Sequence, residues 1–383
     1  MPARKPNGSP EASDPTSARR VFFLRPTLGT GGADSVTLTL LRHLDRRLFQ
    51  PSLVLLRKGG QRLPDVPNDI RVFDLAARNL LTGAAPLRRL LSQEKPDILM
   101  STSSGTNITA ALAAGGNGPR LVLSERNGLV RDQPLYKLAP LLFLKRVLYG
   151  RADCVTAVSR GVARDLERRL RLEEDSVVVV HNPIVSPALD PEADSDPGEP
   201  WFREKETPVI LAAGRLVHAK GFDVLLDAIA QTRTTLDCRL ILLGDGPLRA
   251  SLEKQIHRLG LSDSVKMPGF VNNPAAYMRR SSVFVLSSRF EGLPGVLIQA
   301  MACGTPVIAT DCPYGPAEII EHGSNGMLTE DENASALSTT LSNLLCDPGK
   351  RRQLSDLAVR SSQRFTLEAV LPNYVRALAP DIP

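Results

Sequence analysis

PVILAAGRLVHAKGFDVLLDAIA, residues 208–230, carries the decision about the fold. An apolar run of strand type ends at Gly214, a loop with two cations follows, and the helical stretch FDVLLDAIA begins after Gly221. Strand, loop and helix in that order open an α/β unit. Three further units of the same kind lie downstream, at RLILLG (239–244), SVFVLSS (282–288) and TPVIATD (305–311), each leading into a helical stretch. Upstream, Val21 to Leu24 is followed by the loop Pro26-Thr27-Leu28-Gly29-Thr30-Gly31-Gly32 and by the periodic SVTLTLLRHL. Short apolar runs recur at Ser52 to Leu56, Ile98 to Met100, Leu121 to Leu123, Cys154 to Val158 and Val177 to Val180. Near-continuous runs of this length suit parallel strands covered on both faces. The stretch SPALDPEADSDPGEP, residues 186–200, has four prolines, five acidic residues and no periodicity, and divides the two series as a linker. The expected fold is therefore α/β, with two Rossmann-like domains and a cleft between them. The expected boundaries are a disordered segment at 1–19, an N-terminal Rossmann-like domain at 20–185, the linker at 186–200, a C-terminal Rossmann-like domain at 201–365, and a helix at 366–383 packing back on the first domain.

With 383 residues, 42% apolar and 23% charged, the chain has the composition of a two-domain globular protein. It holds no run of the roughly 18 apolar residues that cross a bilayer, and the first 20 residues contain no apolar core for a signal peptide. Cytoplasmic location is the expectation. Cys154, Cys238, Cys303, Cys312 and Cys346 are scattered without a C-x-x-C pair, which suggests neither a disulfide framework nor a zinc site. Charge is unevenly divided. Residues 1–185 carry 28 Lys and Arg against 17 Asp and Glu, a balance of +11, while the remainder carries 19 against 24, a balance of −5. Such asymmetry points to a polyanionic surface as partner. Aromatics make up only 4% of the chain, too few for base-stacking platforms, so the expectation is no nucleic acid but an anionic membrane face. The stretch LYKLAPLLFLKRVLYGR (135–151), with Lys137, Lys145, Arg146 and Arg151, reads as a segment for peripheral membrane contact, as a cover of the cleft or as an ordinary packed helix.

In open parallel sheets ligands bind beyond the carboxyl ends of the strands, so the loops after them are where chemistry belongs. Arg215 and Lys220 stand five residues apart on one such loop and can converge on a single anion. Gly244-Asp245-Gly246-Pro247 is a tight turn without the spacing of a dinucleotide fingerprint. After Ser288, the loop Arg289-Phe290-Glu291-Gly292-Leu293-Pro294 leads into a helix near Gly295, whose free N–H groups and positive dipole end suit phosphate. Glu291 sits at the mouth of that loop, either as a plain loop carboxylate or helix-cap charge or as an acceptor of hydrogen bonds from sugar hydroxyls. Asp194-Ser195-Asp196 has the form of a metal motif but lies in the linker, and the five histidines have no ligand spacing, so no metal is expected.

Taken together, GRLVHAKGFDVLLDAIA, LILLGDGPLRASLE, VKMPGFV and EGLPGVLIQAMACGTPVIATDCPYGPAEII resemble, in order and spacing, the C-terminal half of glycosyltransferase family 4, the retaining group 1 enzymes of GT-B fold. GGADSVTLTLLRHL, ADCVTAVSRGVARDL and VVVVHNPI resemble its first domain and hinge, so the likeness spans most of residues 21 to 380. The resemblance implies catalysis by Arg215, Lys220 and Glu291, the two cations neutralising a nucleotide diphosphate in place of a metal and the carboxylate binding the donor sugar. It implies donor contacts from Gly31, Gly32, Val271, Gly292, Leu293, Gly295, Val296 and Gln299, and no cofactor. The function implied is retaining transfer of a sugar from a nucleotide-diphosphate sugar, UDP-linked, to a glycan or lipid-linked acceptor in polysaccharide or glycolipid biosynthesis. Three departures stand out. Gln299 replaces the second carboxylate of the family's E-x7-E motif, Pro294 replaces a glycine and removes one N–H, and LSERN (123–127) offers no histidine, leaving Glu125 and Arg126 as acceptor-side candidates. A sugar-nucleotide epimerase of the same architecture and a catalytically weak nucleotide-sugar-binding scaffold are the competing readings.

Overall fold

The structure is a computed structural model that describes residues 18–29, 31–115, 118–129, 135–204 and 206–382, without the side chains of 135–138 and 191. Of the segment 1–19 expected to be disordered, residues 1–17 lie outside the described residues, and Arg19 already belongs to the first strand. The loop residue Thr30 and the side chain of Lys137 also lie outside them.

The first series consists of β1 (Arg19–Arg25), α1 (Gly32–His43), β2 (Phe49–Leu55), β3 (Arg71–Asp74), α2 (Ala84–Glu94), β4 (Ile98–Ser101), α3 (Ser104–Ala113), β5 (Arg120–Glu125), α4 (Leu135–Tyr149), β6 (Cys154–Ala157), α5 (Arg160–Leu170), β7 (Val177–Val179) and α6 (Leu189–Asp194). The second consists of β8 (Val209–Ala213), α7 (Phe222–Thr232), β9 (Arg239–Leu243), α8 (Arg249–Arg258), β10 (Val265–Gly269), α9 (Pro274–Arg280), β11 (Val283–Leu286), α10 (Gly295–Ala302), β12 (Val307–Thr310), α11 (Pro316–Ile319), β13 (Met327–Thr329), α12 (Ala334–Cys346), α13 (Pro348–Ser362) and α14 (Leu367–Leu378). Two parallel sheets result, ordered β3-β2-β1-β4-β5-β6-β7 and β10-β9-β8-β11-β12-β13. Both show the reversal of strand order of a doubly wound fold. The expected α/β architecture with two Rossmann-like halves is the one found.

All five residues of β8 are buried, and α7 lays Leu225, Leu226 and Ile229 into the same core. Side chains of this size each contribute about 1.5–3 kcal/mol on burial. Three strands escape a reading by apolar runs: β3, β10 and β13. All three are sheet edges, with short or mixed sequences (RVFD, VKMPG, MLT) that need not be apolar on both faces.

The acidic segment expected as a featureless linker contains α6. Leu189 and Ala193 are buried, Arg279 pairs with Asp190 at 2.6 Å and Asp194 at 3.0 Å, and Arg280 donates to the carbonyl of Ala193 at 2.9 Å. Six residues are too few to show a helical period, and two of the acidic side chains, Asp190 and Asp194, are spent on Arg279 in the last turn of α9.

The chain divides into two compact units, Met1–Ser124 with Val147–Cys154, and Glu125–Arg146 with Val155–Pro383. In the second, the amide of Ile184 donates to the Phe365 carbonyl at 2.9 Å and Val185 pairs with Thr366, just before α14. Among the described residues, no helix is long and apolar enough to cross a membrane.

Candidate functional site

Strands β8 and β11 are neighbours, so the loops that leave their carboxyl ends start side by side. The contacts between these loops are close. Gly221 has φ +58°, and a Cβ there would stand 2.0 Å from the carbonyl oxygen of Ser287, so both conformation and space call for glycine. Ser287 Oγ donates to the Lys220 carbonyl at 2.9 Å, and the Arg289 amide donates to the Ala219 carbonyl at 2.9 Å. Arg289 grips both carboxylate oxygens of Asp223, at 2.8 and 2.7 Å, and also Glu332 at 2.8 Å. The hydrogen bond from Arg289 holds the Asp223 carboxyl below its usual range, outweighing the opposing effect of burial.

This brace carries the side chains expected to act on the donor. Lys220 Nζ lies 2.5 Å from Glu291 Oε1, which also accepts from Ser288 Oγ at 2.7 Å. Two of the three residues assigned to catalysis on sequence are thereby in direct contact, although 71 positions separate them. The third, Arg215, starts the same loop as Lys220. It is exposed, and among the described residues its side chain has no hydrogen-bond or ion-pair partner. An arriving anion therefore finds one unengaged guanidinium and one ammonium that it must share with Glu291.

On α10 the exposure pattern is selective. Gly295, Val296 and Gln299 are partly exposed, whereas Leu297, Ile298, Ala300 and Met301 are buried. Ala302 is partly exposed as well, so the open stripe holds the three positions expected to contact the donor and one further residue. The N-cap is Pro294, which makes no side-chain cap bond; its carbonyl accepts from the Leu297 amide, and among the described residues the Gly295 and Val296 amides, beside the loop of Glu291, have no partner. Gly292 and Leu293 are buried, and Val271 is partly exposed just after β10. Gly31 and Gly32 begin α1 in the other unit, where the Gly31 amide donates to Asp34 and Asp34 pairs with Arg25 at 2.5 Å.

The acceptor-side candidates differ from one another. Glu125 is buried in an ion pair with Lys145 at 2.7 Å, each side chain only 2% exposed. Glu125 thus presents no carboxylate to solvent, and Lys145, expected among the membrane-facing cations, is withdrawn from the surface. Arg126 donates from Nη1 to Asn182 Oδ1, while its Nε and Nη2 are buried without a partner among the described residues. Unpaired buried donors of a charged group cost more than the roughly 1–3 kcal/mol of a neutral one, so their persistence asks for an explanation.

Ser288, Asp223, Arg289, Tyr314 and Glu318 had no signal in the sequence beyond their residue type. Glu318 Oε2 accepts from the Arg160 amide at 2.7 Å, and Oε1 meets His181 Nε2 at 3.0 Å. Burial raises the Glu318 carboxyl, but the His181 hydrogen bond and the Arg160 amide outweigh it and leave it below its usual value of 4.5. Asp165 is likewise buried yet held low, by Tyr314, the Leu129 amide and Arg169. A carboxylate with a depressed native pKa adds stability above its unfolded value and loses it as pH falls through the native one. The melting temperature should therefore drop on acidification below about 4.5, and Glu318→Gln should flatten that drop. An equal acid dependence of the two proteins in a thermal melt series would refute this.

Among the described residues, no three His, Cys, Asp or Glu side chains gather as a metal site. Asp194 and Asp196 are spent on Arg279 and Arg203.

A family model described as glycosyl transferases group 1 matches residues 199–360, and one described as Glycosyltransferase Family 4 matches residues 30–186. An uncharacterized glycosyltransferase of Haemophilus influenzae is 32% identical over 92% of this chain and 98% of its own. The Campylobacter jejuni N-acetylgalactosamine-N,N'-diacetylbacillosaminyl-diphospho-undecaprenol 4-alpha-N-acetylgalactosaminyltransferase is 28% identical over 88% of this chain and 93% of its own. Among solved structures, Anabaena HepE in complex with UDP-glucose superposes with a TM-score of 0.79 at 22% identity, covering 94% of this chain and all of that one.

Proposed function

The chain belongs to the group 1, family 4 glycosyltransferases of GT-B fold and is a hexosyltransferase-type enzyme, and from that premise we propose its donor, acceptor and stereochemistry. The donor is a UDP-linked sugar, the acceptor a glycan or lipid-linked glycan, and the configuration at the transferred carbon is retained. The observation that carries this reading is the Lys220–Glu291 contact at 2.5 Å beside the unengaged Arg215. Breaking the bond between sugar and diphosphate builds negative charge on the leaving oxygen, and fixed cations aimed at it lower the barrier. Arg215 and Lys220 supply those cations. The N–H groups at the start of α10 add fixed dipoles for the same phosphates. Once Lys220 turns to phosphate, Glu291 is released to accept hydrogen bonds from the sugar hydroxyls. Gln299, four residues after Gly295 on the open stripe of α10, binds the nucleotide through a neutral amide where the family pattern has a carboxylate. Retention follows if the acceptor attacks from the face the diphosphate leaves, its proton passing to the departing phosphate. The UDP-glucose complex of the Anabaena protein and the undecaprenol-linked substrate in the Campylobacter enzyme's name support the choice of donor and acceptor class. Incubation with a panel of nucleotide sugars tests the reading. Slow release of UDP from one of them is expected, while interconversion of the sugar without release would point to an epimerase.

The acceptor class adds a location. On α4, Leu141, Phe143, Leu144 and Val147 are exposed at 42%, 71%, 38% and 45%, and Arg146 is exposed beside them. These residues form a surface suited to the interface of an anionic membrane. Removing one inserted aromatic forfeits about 1.5–3 kcal/mol of transfer energy, so Phe143→Ser should weaken co-sedimentation with anionic vesicles about tenfold or more. Equal sedimentation of the wild type with anionic and neutral vesicles would refute the proposal.

A further inference from the structure

The geometry points to Arg126 as a binding site for a phosphoryl oxygen of a substrate, a role that deepens the reading above and rests on it. Arg126 follows the carboxyl end of β5, the side of a parallel sheet on which ligands bind. Its backbone is pressed against the loop of Glu291, because a Cβ on Gly292 would stand 1.9 Å from the Arg126 carbonyl oxygen. The guanidinium is fixed at one end by the bond from Nη1 to Asn182 Oδ1. The other two nitrogens, Nε and Nη2, are buried and have no partner among the described residues. They are the adjacent pair of a guanidinium that grips an oxyanion in two-point fashion.

The surrounding charges leave this cation uncompensated. Glu125 is committed to Lys145, Glu291 to Lys220, and Asp165 to Arg168 and Arg169. Among the described residues, no carboxylate lies within ion-pair distance of Arg126. A positive group held in place, partly desolvated and lacking a counter-charge, one residue from a buried ion pair and against the donor loop, is arranged for an anionic ligand rather than for the fold. The matching ligand chemistry is a diphosphate. Two sources supply it, the nucleoside diphosphate of the donor and the diphosphate of a lipid-linked acceptor.

The test uses the full chain with Arg126→Gln and Arg126→Lys, and titration calorimetry with three probes: UDP, inorganic pyrophosphate and farnesyl diphosphate. Arg126→Gln should weaken pyrophosphate binding at least tenfold, and Arg126→Lys should recover part of the loss. If the source is the donor, UDP weakens in parallel, and UDP at saturation abolishes the Arg126-dependent binding of farnesyl diphosphate. If the source is the acceptor, UDP binding is unchanged, and farnesyl diphosphate still binds the UDP-saturated protein in an Arg126-dependent way. A merely structural arginine would behave otherwise. Arg126→Gln would then lower the melting temperature and leave all three affinities as in the wild type, which overturns the inference. Removing an unpaired buried cation should instead leave the melting temperature equal or higher. Lys220→Ala separates the two levels of the argument. If its donor hydrolysis turns over like the wild type, the donor-site reading has failed. If it loses turnover while Arg126→Gln keeps all three probe affinities, only the present inference has.

Discussion

Lys220→Ala is expected to lower turnover by about 10² to 10³, the loss that follows removal of one preorganised group stabilising transition-state charge, about 3 to 4 kcal/mol. The expectation rests on where Lys220 is held. Its carbonyl accepts from Ser287 Oγ, its neighbour Gly221 is forced against the Ser287 carbonyl, and its ammonium touches Glu291. The brace between two loops thus fixes the backbone that carries the charge, and only the side chain turns when the ammonium leaves Glu291 for phosphate. The pair is largely shielded, with Lys220 21% and Glu291 10% exposed, so the ammonium acts with less solvent screening than a surface lysine would. Folding stability should change little, because Glu291 keeps Ser288 and the loops keep Arg289 with Asp223. The loss should fall mainly on kcat, since charge on the leaving oxygen is greatest in the transition state. Lys220→Arg should recover part of it, limited by the mismatch between a planar fork and a site shaped around a point charge. Steady-state donor hydrolysis decides the matter. Turnover within a factor of three of the wild type would remove Lys220 from the chemistry.

How far the sequence disclosed this arrangement depends on what kind of signal each residue carries. Strands buried on both faces announce themselves as apolar runs, which is why β8, β9, β11 and β12 were legible and the edge strands β3, β10 and β13 were not. Loop residues at the carboxyl ends of strands were legible as candidates because the fold leaves that place for ligands. Their pairing was not, since nothing in the residue types says that Lys220 would meet Glu291 rather than Asp223, or that Arg289 would take Asp223 instead. Those choices are settled by the close approach of two backbones, and distances between distant loops leave no trace in local composition. Glu125 is a further case. A carboxylate after a strand end looks available until Lys145, 20 residues on, is found buried against it. In the acidic stretch around α6 the helix was not legible, because charge opposite Arg279 is indistinguishable in sequence from charge facing water.

Gly292→Ala should reduce activity by about two orders of magnitude while leaving the chain folded. The added Cβ would stand 1.9 Å from the Arg126 carbonyl oxygen and 2.9 Å from its carbon, whereas real Cβ atoms essentially never come within 3.0 Å. Both partners are backbone, so neither yields by a rotamer change, and the Glu291 loop and the Arg126 loop must separate by about an ångström. That displacement falls on the groups assigned to chemistry. Glu291 precedes the substituted residue, α10 begins three residues after it, and Arg126 is the atom group pushed away. A misplacement of about 1 Å in positioning elements costs about 10²-fold in rate, even where every reacting group is still present. Stability should fall too, by the roughly 1–3 kcal/mol of an overpacked site, because the two-loop brace through Arg289 lies outside the clash. Gly115→Ala is the control. A Cβ there meets nothing within 4 Å, so both melting temperature and rate should stay near those of the wild type. The prediction is checked by comparing kcat with the thermal midpoint for the two variants. If Gly292→Ala loses stability but retains full turnover, the contact between these loops matters to the fold alone, and the proposed alignment of Glu291, Arg126 and the start of α10 around one substrate is wrong.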